Sequence, residues 1–278
     1  TRKQSGRSAM KRFWFQKLFL EHMMASQPTK DLSDAHTAQT SLEGRRVIVT
    51  GGSTGIGRAI AVLLASEGAR VFICGRDEQH LADGLQRINA VGQGDGVAVD
   101  LAKPEGLRRF FSAADAWLAG LDVAVINAAV GAETVLDGNE EELRHILETN
   151  FVSYLISARE AARRMPHGGH IVLIGSMSAE TLGEGASTYV ATKAGIQGFA
   201  TSFRKEMAER NIKVCLIEPG RTGSDMQYEN YSSQEQADAI NADEMLRAED
   251  IAVATQFVLT QPGRTVISQM LVEPLITK

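Results

Sequence analysis

From Glu43 onward, short β-branched runs alternate with longer stretches that repeat apolar residues at helical spacing. The runs RRVIVT (45–50), RVFIC (70–74), DGVAV (95–99), DVAVIN (122–127), HIVLIG (170–175), IKVCLI (212–217) and RTVISQMLV (264–272) predict seven strands. Between them, AIAVLLASEG, EQHLADGLQRINAVG, LRRFFSAADAWLAG, the stretch from Glu140 to Arg164, and TYVATKAGIQGFATSFRKEMAER predict helices. The early strands are continuously apolar, the pattern of strands covered on both faces in a parallel sheet. Strict strand–helix alternation therefore predicts one doubly wound α/β domain over 41–278, with helices on both faces of a seven-stranded sheet. One polar stretch, 221–244, is too long for an ordinary connection and reads as a lid or specificity loop, with Met226, Tyr228 and Tyr231 shaping a pocket.

Composition narrows the class. A chain of 278 residues with 44% hydrophobic content can bury a substantial core, and a net charge of −5 argues against a nucleic-acid partner. Cys74 and Cys215 lie inside apolar runs and read as small core residues in a reducing compartment, so a cytoplasmic location is expected. The six histidines lack zinc-ligand spacing, so no metal is expected. No apolar run approaches the roughly 20 residues of a membrane span. Residues 1–40 stand apart: the basic, aromatic FWFQKLFL region gives way to a polar stretch. It reads as a leader or flexible arm in preference to a membrane-surface helix, and no function is drawn from it.

The first strand runs into TGGSTGIGRAIA (50–61), placing Gly51, Gly55 and Gly57 where a strand turns sharply into a helix. Glycines there permit the turn and let backbone N–H groups of Ser53, Thr54 and Ile56 approach a pyrophosphate at the helix N-terminus. At the end of the second strand, Gly75 leaves no acidic group and Arg76 supplies a planar fork suited to a phosphate, with Ser53 and Thr54 as further donors.

In STYVATKAG (187–195), Tyr189 and Lys193 stand four apart on a predicted helix and therefore share one face. A phenol near a cation is favoured as phenolate, which makes the pair a candidate proton-transfer group.

Thr50 to Gly57, in the pattern T-G-x-x-x-G-x-G, resembles the glycine motif of the short-chain dehydrogenase/reductase family, and the resemblance extends over residues 43 to 275. It implies a Rossmann fold. It also implies that Asp100, with Leu101, holds the adenine, and that Asn127, Ala128 and Ala129 correspond to the family's N-A-G motif, Ala129 departing from it. Ser176 lies thirteen residues before Tyr189, the family's separation, and Asn150 matches its fourth catalytic residue. Thus Ser176 is expected to stabilise a developing oxyanion, Tyr189 to act as general acid/base, Lys193 to bind the nicotinamide ribose, and Asn150 to support a water path to Lys193. Ser178 reads as a turn residue. Pro219 and Gly220 match the turn beside the nicotinamide, with either Thr222 or Ser224 as the carboxamide contact.

The resemblance implies an oxidoreductase that prefers NADP(H), with NAD(H) as the alternative, acting on a small carbonyl or alcohol. The alternatives are a 3-oxoacyl thioester reductase and a catalytically silent dinucleotide sensor. A homodimer or homotetramer, pairing Glu140–Arg164 and Tyr189–Arg210, is also implied.

Overall fold

A computed structural model of the chain describes residues 39–277 apart from 133, 137 and 225–230. Its centre is a seven-stranded, all-parallel sheet in the order β3-β2-β1-β4-β5-β6-β7. The strands are β1 (Arg46–Val49), β2 (Arg70–Gly75), β3 (Gln93–Ala98), β4 (Val123–Ile126), β5 (Gly169–Ile174), β6 (Ile212–Pro219) and β7 (Gln269–Val272). Val47 pairs with Val71 on one side and Val123 on the other, so the chain reverses its direction of travel across the sheet at β1/β4. Open α/β sheets bind ligands outside the carboxyl ends of strands at such a point.

The helices are α1 (Gly55–Ser66), α2 (Glu78–Asn89), α3 (Pro104–Leu118), α4 (Glu140–Leu147), α5 (Ser153–Arg163), a short α6 (Ser178–Thr181), α7 (Ser187–Ala208), α8 (Ser233–Asn241) and α9 (Ala248–Leu259). Strand side chains alternate between faces, so Ile48, Ala124, Leu173 and Leu216 join the core beneath α3, α5 and α7. Val47, Val125, Val172 and Ile217 join the one beneath α1 and α9. Local chemistry marks the helix starts: Asp77 caps α2 by accepting from the His80 N–H, Pro104 opens α3, and Asn139 with Glu142 forms a capping box on α4.

Three features of the second half of the sheet and its cover differ from the sequence expectation, besides a π turn (Glu148–Val152) and the start of β3 at Gln93. Only 269–272 of the run 264–272 is strand, because pairing with β6 begins at Leu216↔Gln269. The polar stretch 221–244 contains α8, begun by a Ser232/Glu235 capping box; Met226 and Tyr228 lie outside the described residues, as does the extension up to residue 38. The third is α9, which buries Ile251, Ala252, Thr255, Val258 and Leu259. Among the described residues no helix is long and apolar enough to cross a membrane.

Candidate functional site

Where β1 ends, Gly51 (φ 64°) and Gly55 (φ 51°) adopt the left-handed conformation that side-chain-bearing residues avoid. Gly57 answers a different constraint: a Cβ there would lie 2.1 Å from the Gly51 carbonyl oxygen and 2.5 Å from Asn127 Nδ2. The Thr50 hydroxyl accepts hydrogen bonds from the Asn127 and Ala128 amides at 2.8 and 3.1 Å. In return Asn127 Nδ2 donates to the carbonyls of Thr50 and Gly51 at 3.1 and 3.2 Å. The carboxyl ends of β1 and β4 are thereby locked together.

Above this lock lies a cleft of about 250 Å3, lined by Gly51, Ser53, Thr54, Gly55, Ile56, Arg76, Asp100, Leu101, Asn127, Ala128, Ala129 and Ser224. All twelve are expected from the sequence. Gly57 supports the floor from below. Gly75 also borders the cleft, and a Cβ there would sit 2.2 Å from Ser53 Oγ, so a carboxylate at this position would displace the serine. Arg76 Nη1 lies 3.2 Å from His145 Nε2 of α4. Asp100 both borders the cleft and accepts from the Ala102 amide, so its turn role and its place in the wall coexist. Asp77, His80, Val130 and Thr149 also line the cleft and are not expected from the sequence. Asp77 follows Arg76 directly and His80 stands four residues beyond it, a proximity that gave a usable signal; Thr149, whose buried hydroxyl has no partner, gave none.

Thr222 does not line the cleft: its buried hydroxyl donates to the Gly220 carbonyl at 3.0 Å, and its backbone pairs with Leu246. Of the two hydroxyls expected beside Pro219–Gly220, Ser224 is the one that faces the cleft. The Pro219 carbonyl accepts from the Met177 amide, holding the segment after β5 against β6.

Ser176, Tyr189 and Lys193 converge at the carboxyl end of β5. Lys193 is only 2% exposed; its Nζ donates to the Ile174 carbonyl at 3.0 Å and to Tyr154 Oη at 3.4 Å, and lies 5.5 Å from the Tyr189 ring centre. Tyr154 Oη itself donates to the Ile174 carbonyl at 3.0 Å. Ser178 is more than a turn residue, since its hydroxyl donates to Ser176 Oγ at 2.8 Å and its amide reaches the same oxygen at 3.2 Å.

Asn150 is wholly buried, in a π-helical turn (Glu148–Val152) that interrupts the long helix between α4 and α5. Its side chain clamps Val130, accepting from the amide and donating to the carbonyl, each at 2.8 Å. The direct side-chain contact to Lys193 comes from Tyr154, one turn on. Next to Asn150, Phe151 packs on Gly195 of α7, where a Cβ would fall 2.8 Å from the ring. The π turn seats α7, and with it Lys193.

Burial pulls the Lys193 ammonium down to about 7, against the charge of Glu218, which favours the protonated form. Burial also raises the Tyr189 phenol above its ordinary value, with the hydrogen bond from Ser176 acting in the opposite direction. The expected lowering of Tyr189 by Lys193 is outweighed by the burial of the phenol itself. A protonated phenol beside a hydroxyl donor can deliver a proton to an oxygen held between them.

The chain belongs to the short-chain dehydrogenase/reductase family: the family model for short chain dehydrogenase matches residues 45–235. It is an oxidoreductase of that family. Carbonyl reductase family member 4 of Danio rerio is 34% identical over 66% of this chain and 77% of its own. The 3-oxoacyl-acyl-carrier-protein reductase FabG of Vibrio cholerae is 33% identical over 67% of this chain and 77% of its own. A short-chain dehydrogenase from Burkholderia cenocepacia, solved in complex with NADP, superposes with a TM-score of 0.76 at 29% identity, covering 84% of this chain and 98% of that one.

Proposed function

We propose that the protein is an NADP(H)-dependent reductase of small ketones or aldehydes, reversible as an alcohol dehydrogenase, carried by residues 41–278. The observation that carries the reading is the convergence of Ser176, Tyr189 and buried Lys193 at the carboxyl end of β5, two strands along the sheet from the glycine turn that follows β1. The cleft suits a dinucleotide: no side chain fits at Gly57, backbone donors of 53–56 gather at the start of α1, and the wall ends in Arg76. When bound, the nicotinamide supplies or accepts a hydride.

The chain's own residues do the remainder. Ser176, oriented by Ser178, hydrogen-bonds the substrate oxygen and stabilises its developing charge. Tyr189 gives a proton to that oxygen in reduction and takes one in oxidation. A phenol held protonated by burial is in the state that can donate this proton. Lys193 stabilises the phenolate that remains and supplies donors for the nicotinamide ribose. Asn150 acts at one remove, by fixing Val130 and the turn that seats α7. Arg76, with Ser53 and Thr54, favours the 2′-phosphate, while the absence of a carboxylate at Gly75 disfavours NADH. Dimers or tetramers formed through α5 and α7 belong to the same reading.

Titration with NADPH and NADH, followed by nicotinamide fluorescence, tests the cofactor assignment. NADPH binds more tightly and Arg76→Ala removes the preference; equal binding of NADH overturns it. Tyr189→Phe lowers NADPH-dependent carbonyl reduction ~10²–10⁴-fold with NADPH binding intact; retained turnover overturns the catalytic assignment. The relative from Vibrio cholerae gives one second reading, a 3-oxoacyl thioester reductase. Faster turnover of carrier-bound than of free ketones would favour it.

A further inference from the structure

Glu218, the penultimate residue of β6, is wholly buried, and its Oε1 has no hydrogen-bond partner. A carboxyl group taken from water with one oxygen unmatched is costly, and an apolar residue would serve β6 better if packing were the only demand. Its surroundings are built around it. Strand alternation places Glu218 on the same face as Leu216, the side covered by α5 and α7. On β5, Gly175 makes room for it, since a Cβ there would lie 2.9 Å from Glu218 Cγ. The residue before Gly175 is Ile174, whose carbonyl receives Lys193 Nζ at 3.0 Å. From β7, Gln269 Nε2 donates to Glu218 Oε2 at 2.5 Å and to Glu180 Oε1 of α6 at 3.4 Å. Glu180 also accepts from Gln197, which stands four residues beyond Lys193 on α7. Gln197 of α7 thus reaches Glu180 at the surface, while Lys193, one turn earlier, and Glu218 meet the adjoining residues Ile174 and Gly175 of the segment at the end of β5.

We propose that Glu218 is the counter-charge that keeps Lys193 protonated, and so a positioning residue for the Tyr189–Lys193 pair; the proposal rests on the reading of that pair given above. Every titratable group facing the two residues fits the assignment. Burial raises the Glu218 carboxyl; the Gln269 hydrogen bond opposes this, Glu180 adds to it, and Lys193 opposes it. Against Lys193 stand Tyr154 from α5 and Tyr189 from its own helix, both phenols raised by burial and so contributing no negative charge near neutrality. Glu218 is the charge that acts on Lys193 against its burial.

The test is direct titration of the Lys193 ammonium by NMR of the full chain labelled with 13C-lysine, the resonance being assigned with Lys193→Met. In Glu218→Gln the titration midpoint of Lys193 falls by about one pH unit or more; an unchanged midpoint overturns the proposal. If that variant does not fold, Gln269→Leu replaces it. Loss of this hydrogen bond favours protonated Glu218, so the Lys193 midpoint falls in the same direction; no movement overturns the proposal. Neither titration involves substrate or cofactor, so failure of the Glu218 proposal would show in the midpoint alone, whereas failure of the Tyr189 assignment would show in the turnover of Tyr189→Phe.

Discussion

Gly57 leaves no room for a single methyl group, because the atoms facing it are the Gly51 carbonyl and the Asn127 amide that join β1 to β4. Gly57→Ala must push these apart. The expected outcome is a stability loss of ~1–3 kcal/mol together with markedly weaker NADPH binding, checked by thermal melting and fluorescence titration. Such glycines were legible in the sequence because they punctuate a strand-to-helix turn, and Arg76 was legible because it follows a strand end. Tyr154, Ser178, Thr149 and Glu218 were not. Their importance lies in which buried group each one faces, and a partner's position depends on packing between elements far apart in the chain. Ser176 and Tyr189 could be matched by separation; the hydroxyl that orients Ser176 looked like any serine in a turn.

At the scale of elements, the π turn between α4 and α5 shows what periodicity misses. The apolar spacing of Glu140–Arg164 predicts one continuous helix, and the extra residue in the turn, which closes through the Ser153 amide on the Glu148 carbonyl, leaves little trace in that pattern. Its effect is to direct Asn150 at Val130 and Phe151 at Gly195. Asn150→Ala would leave the amide and carbonyl of Val130 unmatched, at a cost of ~1–3 kcal/mol. Hydrogen exchange at the Val130 amide accelerates in the variant and carbonyl reduction slows; unaltered exchange would mean that the clamp holds nothing. Strands β1, β2, β4 and β5 were readable as continuous apolar runs. β3 reads two residues short in the sequence because Gln93 and Gly94 pair with β2 through backbone alone. Helix α8 was hidden by its polar sequence, although a Ser232/Glu235 capping box begins it, whereas the apolar spacing of α9, begun by Arg247–Asp250, was there to be read.

Across the whole molecule, the parallel sheet gives every strand the same polarity. His170 enters at the amino end of β5, buried, with Nε2 unpartnered, and burial next to Lys213 pulls its imidazole down to about 3 from an ordinary value of 6.5. The folded protein therefore refuses a proton that the unfolded chain accepts below pH 6.5. Stability supplied by neutral His170 is complete above that pH and falls as pH drops toward 3, at up to about 1.4 kcal/mol per pH unit. Urea unfolding between pH 7 and 4.5 should show this slope, and His170→Leu should flatten it; equal slopes in the two proteins would rule the histidine out. At the other end of the same strand, roughly 13 Å away by strand rise, the Ile174 carbonyl receives Lys193 Nζ and Tyr154 Oη. The histidine that ties stability to acidity and the lysine proposed to serve the chemistry thus stand at opposite ends of one strand. Substitution at one end therefore need not disturb the other.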